Sequence, residues 1–133
     1  MNISLIIPTH RELKLTEALI KSCLQQLKDT VELIIVVDKP SYGPEYRVLN
    51  HRAKILINEK NYGAARSRNV GLREASNELV ILLDSDSIIN ESFIDSHRNA
   101  HQANANCIVA GKTKFKHNGR WFSDLVMDCD FFE

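Results

Sequence analysis

Two aspartates at the end of an apolar run are the residues of this sequence best suited to chemistry. Asp84 and Asp86 are separated by one residue and follow the apolar run 79–83. Side chains two positions apart in an extended chain point to the same side, so both carboxylates are expected to face one crevice. Such a pair favours a divalent cation whose other ligands are phosphate oxygens and water. The alternative is structural: one aspartate caps the next turn and the other is solvated.

A second segment with chemical potential is the run 61–69, in which Gly63 stands at a predicted helix start. Arg66 and Arg68 follow within the first turns. Helix amino termini and guanidinium groups bind phosphate and ribose oxygens well. Taken alone, the segment is better explained by an ordinary amphipathic helix with a solvated basic face. The chain has neither a P-loop nor a GxGxxG motif, and its first strand ends without glycines, which argues against a nicotinamide cofactor.

Histidines and cysteines indicate no further site. His97 and His101 have the spacing of a metal pair on a helix, but Arg98 stands where a metalloprotease needs glutamate. We interpret both as surface or partly buried histidines. The 3 cysteines are odd in number and lack CxxC spacing, which argues against a disulfide framework and a zinc knuckle. The absence of a GxSxG turn argues against a serine hydrolase.

Length and charge restrict the class of protein further. The 133 residues are enough for one domain, and 17 basic residues balance 17 acidic ones, so no overall field attracts nucleic acid. No signal segment opens the chain, and no run of about 18 apolar residues could span a membrane. We therefore expect a single cytoplasmic domain over 1–133, with peripheral attachment at the inner face of the membrane left open.

The apolar pattern alternates between strands and helices. Runs rich in β-branched residues predict strands at 3–7, 31–37, 55–57, 78–83 and 107–110. The spacing of Leu15, Leu19, Cys23 and Leu27 predicts the buried face of a first helix, with Thr9 and Glu12 as its capping box.

Turn-forming residues complete this pattern. Further helices are predicted at 64–75 and 93–105, and Asn90 or Ser92 is expected to cap the second of them. Residues 39–44 are predicted to form a loop, and a hairpin is predicted around 117–120. The alternation predicts an α/β fold with a mostly parallel sheet and helices on both faces. Ligands of such sheets bind outside the carboxyl ends of the strands, where 8–11, 38–39, 58–63 and 84–86 lie.

Four motifs in this order and spacing resemble the family 2 glycosyltransferases of the GT-A fold. They are SLIIPTHR at 4–11, LIIVVD at 33–38, NYG at 61–63 with RNVGL at 68–72, and LLDSD at 82–86. Together the motifs are more specific than any one of them, and they span about residues 3–111. The resemblance implies a Rossmann-like GT-A domain, identified as the N-terminal part that binds a nucleoside diphosphate sugar.

The resemblance also implies roles for single residues. Asp86 would bind Mn²⁺ or Mg²⁺ directly, and Asp84 would approach the metal's waters or the ribose. His10 stands where the family often has tyrosine, and it would stack on the base. The nucleotide-sugar-binding residues implied in this way are Pro8, Thr9, His10, Asp38, Asn61, Gly63, Arg68, Asp84 and Ser85. The sequence departs from the family at Lys39, where a second aspartate is usual; lysine cannot accept a hydrogen bond from a uracil N–H, which leaves the nucleotide open.

The implied reaction is metal-assisted transfer of the sugar to an acceptor hydroxyl, with inversion. The acceptor would be a saccharide, a lipid-linked molecule or a protein, and a carboxylate would deprotonate it as general base. In the family this base comes well beyond the aspartate pair, so we expect it beyond Glu133. We assign it to none of the acidic residues that follow Asp95, namely Asp124, Asp128, Asp130 and Glu133.

Two other functions fit parts of this pattern. A non-catalytic module that binds a nucleotide sugar, or an incomplete fragment acting with a partner, would carry the same motifs. A nucleotidyltransferase also uses carboxylates and a metal on an α/β sheet. It would be expected to show a loop rich in glycine and lysine after its first strand, and residues 8–11 form no such loop.

Overall fold

A parallel sheet of four strands forms the centre of the fold. The computed structural model describes residues 1–104 and 106–111, together with the backbone of 114–117 and 120–123. The strands are β1 (Ile3–Thr9), β2 (Val31–Val37), β3 (Lys54–Ile57) and β4 (Leu79–Leu82), in the order β3-β2-β1-β4. All neighbouring strands of this sheet run parallel, which confirms the predicted sheet.

Helices connect the strands, as the alternation predicts. They are α1 (Leu13–Gln26), α2 (Gly43–Tyr46), α3 (Ala64–Glu74) and α4 (Phe93–Ala103). Two 3-10 turns, Pro40–Tyr42 and Arg47–Leu49, flank α2. The predicted hairpin is confirmed in its backbone: β5 (Lys114–His117) pairs antiparallel with β6 (Arg120–Ser123).

The two faces of the sheet are covered by different helices. Alternate residues of β1 belong to different apolar clusters, because successive side chains of a strand point to opposite faces. Leu5 lies in the cluster that contains Leu19 of α1, whereas Ile6 lies in the cluster against which Val70 of α3 packs. At Gly71 an added Cβ would lie 2.5 Å from the Cγ2 of Ile6, so glycine allows α3 to approach the sheet closely.

The first helix is rotated relative to the predicted face. Its buried residues are Thr16, Leu19, Ile20 and Cys23, whereas Leu15 is 58% exposed. The prediction was wrong about Leu15 because a spacing of four drifts around a helix of 3.6 residues per turn. It is Thr16, a polar residue, that lies on the buried face.

The predicted capping box is absent at α1, whereas Ser92 is the N-cap residue of α4, as predicted; at both helix starts the side chain that accepts a free N–H comes from a distant element. Thr9 is the last residue of β1, and Glu12 makes no capping hydrogen bond at α1. Instead Glu45 accepts the Leu13 N–H at 3.1 Å. At α4 neither Asn90 nor Ser92 caps the helix with its side chain; Gln26 accepts the Ile94 N–H at 3.2 Å. These contacts tie α1 to α2 and α4 to α1.

Two further local predictions were wrong. Residues 39–44 form a 3-10 turn and the start of α2 instead of an open loop. Residues 107–110 form no strand in the part of the chain that the structure describes, and Ile108 is 91% exposed there. An apolar run of this length becomes a strand only where a partner strand accepts its backbone hydrogen bonds.

The four acidic residues beyond Asp95 lie outside the described residues. In the described ranges no helix has the length and apolar character needed to cross a membrane.

A polar cluster at the amino-terminal edge of the sheet fixes the connection between α3 and β4. The Glu32 carboxylate accepts hydrogen bonds from Ser4, from the N–H of Ser76 at 2.6 Å and from the amide of Asn77 at 3.2 Å. Burial raises the pKa of Glu32, but these hydrogen bonds to the charged form outweigh burial, and the net pKa lies below its ordinary value of 4.5.

We expect Glu32→Gln to lower the free energy of unfolding at pH 7 by about 1–3 kcal/mol, because an amide offers one acceptor where several donors converge. The folded pKa of Glu32 lies below 4.5, so its contribution is complete above that pH and is lost as pH falls through the folded pKa. Denaturant titrations at about pH 7 and about pH 3 should therefore show a smaller difference between wild type and variant at low pH. The exposed Glu17→Gln is the matched control; an equal loss at both pH values would contradict the assignment.

Candidate functional site

A cavity of about 300 Å³ opens at the carboxyl ends of β1 and β2. Most of its lining was expected from the sequence. Ala64 and Ser67 of α3 were missed, although Ser67 lies one helical turn after Gly63 and thus on the same side of α3. The complete lining is Pro8, Thr9, His10, Asp38, Asn61, Gly63, Ala64 and Ser67.

Asp38 organises the wall of this cavity. The residue is 4% exposed, and one of its carboxylate oxygens accepts the Tyr62 N–H at 2.9 Å and the Asn58 amide at 2.6 Å. Its other oxygen accepts the Gly63 N–H at 2.8 Å. The Asn58 amide also donates to Ser67 at 3.0 Å, which links the carboxylate to α3. Asp38 therefore joins the ends of β2 and β3 to the entrance of α3.

Two consequences follow from this arrangement. Burial raises the pKa of Asp38, but the hydrogen bonds from Tyr62, Asn58 and Gly63 outweigh burial, and the net pKa lies below its ordinary value. Asp38 is therefore ionised at neutral pH. Gly63 has φ of 85°, in the left-handed region that glycine tolerates best, and this turn directs its N–H to the carboxylate.

The segment 9–11 on the other side of the cavity is held by a buried tyrosine of α2. Tyr46 is 0% exposed, and its hydroxyl donates to the Arg11 carbonyl at 2.9 Å and lies 2.7 Å from the Thr16 hydroxyl. The Arg11 N–H donates to the Thr9 hydroxyl at 3.1 Å. The backbone of Arg11 is therefore fixed at both its N–H and its carbonyl. Sequence reasoning missed Tyr46; its only local signal is an aromatic residue beside the turn-forming Gly43 and Pro44.

Asp84 and Asp86 lie on one exposed surface just beyond β4. Leu83 and Ser85 are buried, whereas each of the two aspartate side chains is 62% exposed. The segment is a turn instead of the expected extended chain, because the Ser87 N–H donates to the Asp84 carbonyl at 3.1 Å. Neither carboxylate caps a helix among the described residues. Ser85, expected in the nucleotide-sugar site, is 8% exposed and lies beneath this surface.

Each aspartate contacts an arginine from a different element. Arg68 of α3 donates to Asp84 at 2.5 Å, and Arg11 donates to Asp86 at 3.4 Å. Arg66, the other arginine of the motif, lies with its guanidinium 3.8 Å from the centre of the Tyr62 ring and so turns to a different surface.

Two pairs of consecutive residues link the cavity to the aspartate pair along the chain. His10 lines the cavity and the next residue, Arg11, contacts Asp86. Ser67 also lines the cavity, and the next residue, Arg68, contacts Asp84. The arginines that contact the two carboxylates therefore each follow a residue that lines the cavity.

The aspartate pair has the donor chemistry of a Mg²⁺ or Mn²⁺ site that a ligand completes. Carboxylate oxygens suit these cations, which usually keep only one or two protein carboxylates beside phosphate and water. Within residues 1–104 and 106–111 no cluster of three or more acidic, histidine or cysteine side chains offers a closed metal cage. The exposed pair fits an open site shared with a phosphate ligand.

The other residues singled out by sequence lie apart from this site. Lys39 is exposed and donates to the Tyr42 hydroxyl at 2.9 Å. His97 and His101 are half-buried beside β4, as interpreted from the sequence, and the Cys107 sulfur lies 3.7 Å from the Nδ1 of His101. Burial lowers the pKa of His97, and the charge of His101 lowers it further.

We expect Asp38→Asn to loosen the wall of the cavity, because an asparagine offers one acceptor oxygen where three N–H groups converge. Two of these are backbone groups of Tyr62 and Gly63, so one would lose its partner at a cost of about 1–3 kcal/mol. Hydrogen exchange should then accelerate at residues 61–67 and much less in β1. Asp29→Asn, at an exposed aspartate before β2, is the matched control. Unchanged protection of 61–67 in Asp38→Asn would show that the carboxylate does not hold this segment.

Comparison with known proteins identifies the family of the chain. Residues 4–127 match the model of the family "Glycosyl transferase family 2". The chain is 36% identical over 89 residues to the UDP-Glc:alpha-D-GlcNAc-diphosphoundecaprenol beta-1,3-glucosyltransferase WfgD of Escherichia coli, covering 65% of this chain and 35% of WfgD. It is 32% identical over 111 residues to the poly(ribitol-phosphate) beta-N-acetylglucosaminyltransferase TarS of Staphylococcus aureus, covering 73% of this chain and 19% of TarS.

The fold is similar to a solved structure of a member of this family. The crystal structure of S. aureus TarS 1-349 in complex with UDP-GlcNAc superposes with a TM-score of 0.67 at 28% identity, covering 77% of this chain and 32% of that one. The likeness confirms the expected GT-A fold. The chain spans less than half the length of the curated relatives that it matches. Since the family model covers nearly all of its length, this chain belongs to glycosyl transferase family 2.

Proposed function

We propose that this chain binds a nucleoside diphosphate sugar and provides the donor side of a metal-assisted transfer of the sugar to an acceptor hydroxyl, with inversion. The observation that supports this most is the continuity of the site. The cavity, sized for a base and ribose, leads through Arg11 and Arg68 to the two exposed carboxylates. A base, a sugar and a diphosphate follow one another in the same order in the ligand.

We propose uridine as the nucleoside. Asn61 accepts the Gly63 N–H through its side-chain oxygen, so its amide N–H groups remain to donate into the cavity. Asp38 accepts one hydrogen bond at the oxygen that Gly63 contacts and retains acceptor capacity there. A donor beside an acceptor pairs with the carbonyl and N–H of a uracil edge, but every base edge carries such a pair, so these two groups fit uridine without selecting it. The solved relative TarS binds UDP-GlcNAc, which supports the same choice.

The diphosphate would lie between the cavity and the aspartates. Asp86 would be the direct ligand of Mn²⁺ or Mg²⁺, because its contact with Arg11 is longer than that of Asp84 with Arg68. A bound cation would act as a Lewis acid that offsets the charge growing on the departing diphosphate. His10, exposed at the cavity rim, would cover one face of the base, and Pro8 and Thr9 would contact its edge.

The acceptor site and the general base are assigned to none of the described residues. The names of WfgD and TarS specify a lipid-diphosphate-linked sugar and a poly(ribitol-phosphate) acceptor, and saccharide, lipid-linked and protein hydroxyls all remain candidates for this chain. Inversion requires a base on the face opposite the departing diphosphate. We place that carboxylate beyond the residues described here.

A non-catalytic nucleotide-sugar-binding module is the second candidate. The proposed donor site lies within the described residues, and the chain spans only 35% of WfgD, so the same contacts would also serve binding without transfer. The two candidate functions differ in one requirement: the transferase needs a base that deprotonates the acceptor, and the binding module does not. Both require the donor site.

We expect calorimetry to show that UDP binds more tightly with Mn²⁺ than with a chelator, and that Asp86→Ala removes this difference. The reason is that Asp86 would supply the protein ligand through which the cation holds the diphosphate. The exposed Asp29→Ala, at the opposite end of the sheet, should keep the dependence on Mn²⁺. Equal binding of UDP by wild type with Mn²⁺ and with chelator would contradict the role of the metal.

We expect UDP sugars to raise the thermal midpoint more than GDP or dTDP sugars, each tested with Mn²⁺. At about 100 times the Kd, a ligand that binds only the folded state stabilises it by about 2.7 kcal/mol, which corresponds to several degrees for a domain of this size. A fluorescence melting series at equal ligand concentrations measures the order. The choice of uridine would be wrong if the GDP sugars gave the largest shift.

A further inference from the structure

Arg11 occupies the position on Asp86 that a cation would need. Its guanidinium lies 3.4 Å from the Asp86 carboxylate, and the side chains are 37% and 62% exposed. Both partners are therefore in contact with solvent, and exposed ion pairs of this kind are worth about 0–1 kcal/mol. The contact is weak enough to be exchanged for a stronger one.

The backbone of Arg11 is held at two points, whereas its side chain is held at one among the described residues. Tyr46 and Thr9 fix the carbonyl and the N–H of this residue at 2.9 Å and 3.1 Å. The only side-chain hydrogen bond of Arg11 among the described residues goes to Asp86. A change of rotamer therefore moves the guanidinium without disturbing the segment that lines the cavity.

The pair on Asp84 differs. Arg68 contacts Asp84 at 2.5 Å, and the Arg68 side chain is somewhat less exposed, at 32%. Each aspartate is thus neutralised by one arginine: Arg68 contacts Asp84 closely, whereas Arg11 contacts Asp86 at a longer distance. Exchange is easier at the looser contact.

We infer that Arg11 is an exchangeable counter-ion, which neutralises Asp86 in the free protein and moves to the diphosphate when a divalent cation takes its place. This inference rests on the proposed function and adds the coupling between its two ligands. A cation alone must displace Arg11 and remain near its positive charge, which weakens binding. A cation that arrives with a diphosphate provides the released guanidinium with an anion, because Arg11 follows His10 at the cavity rim.

Thermodynamic linkage makes the coupling measurable. If UDP raises the affinity for Mn²⁺ by some factor, Mn²⁺ raises the affinity for UDP by the same factor. Part of that factor comes from Arg11, because its transfer from carboxylate to phosphate requires both ligands. Removing the guanidinium should therefore strengthen Mn²⁺ binding alone and weaken the coupling.

The test compares the wild type with Arg11→Gln, Arg11→Lys and Arg73→Gln. Arg73 is an exposed arginine in the last turn of α3 and serves as the matched control. Free Mn²⁺ is measured by electron paramagnetic resonance without nucleotide, and UDP affinity is measured by calorimetry with Mn²⁺ and with chelator. Thermal midpoints close to that of the wild type confirm that the variants are folded.

For Arg11→Gln we expect Mn²⁺ alone to bind about three- to tenfold more tightly, and the coupling factor between Mn²⁺ and UDP to fall about fivefold or more. Arg11→Lys should stay close to wild type, because it keeps the charge, and Arg73→Gln should change neither quantity. Unchanged Mn²⁺ affinity in Arg11→Gln, or the same change in Arg11→Lys, would overturn the inference.

The two proposals fail in different ways. If wild type binds no UDP under any condition, the proposed function is wrong, and the Mn²⁺ measurement without nucleotide still tests the place of Arg11 on Asp86. If wild type binds UDP with Mn²⁺ but Arg11→Gln shows the same coupling, only the role of Arg11 is wrong.

Discussion

The parallel pairing of β1 with its two neighbours is the constraint on which the site depends. β1 pairs with β2 over its whole length and with β4 over Ile3–Ile6. Because the pairing is parallel, the carboxyl ends of all three strands lie at the same end of the sheet. Single backbone hydrogen bonds continue this pairing beyond the strands. The Asp38 N–H donates to the Thr9 carbonyl at 2.7 Å, and the Leu83 N–H donates to the Ile6 carbonyl at 3.0 Å. These bonds place Asp38 and the segment before Asp84 relative to the same strand.

The acidic groups of the site are stabilised in contrasting ways. Asp38 is buried, and N–H dipoles fixed by the backbone balance its charge, so it can form part of a rigid wall. Asp84 and Asp86 are exposed, and the guanidinium groups of Arg68 and Arg11 balance their charges. A rigid carboxylate suits recognition of a base edge, whereas an exposed carboxylate with an exchangeable partner suits a cation that comes and goes with each ligand.

Local sequence patterns predicted the features that depend on neighbouring residues. The runs at 3–7 and 31–37 formed strands, and the motif that follows the run 79–83 lies directly after β4. Features that depend on long-range contacts were missed. Tyr46 reaches Thr16 and the Arg11 carbonyl from another element, and this contact explains why the buried face of α1 includes a threonine. No periodicity within 13–26 contains that information.

In the proposed function, recognition of the base would also depend on long-range contacts that local sequence patterns do not predict. The resemblance to the family puts an acidic residue at position 39, but Lys39 donates to the Tyr42 hydroxyl and does not line the cavity. In the proposed function, recognition of a base edge would then depend on Asp38 and Asn61, each of which accepts the Gly63 N–H. Polar groups fixed in this way are costly to leave unpaired, so they discriminate against a base with the wrong donor pattern. The loss of one acidic side chain is thus compatible with a selective cavity, because the fixed backbone of the α3 entrance sets the positions of the groups that remain.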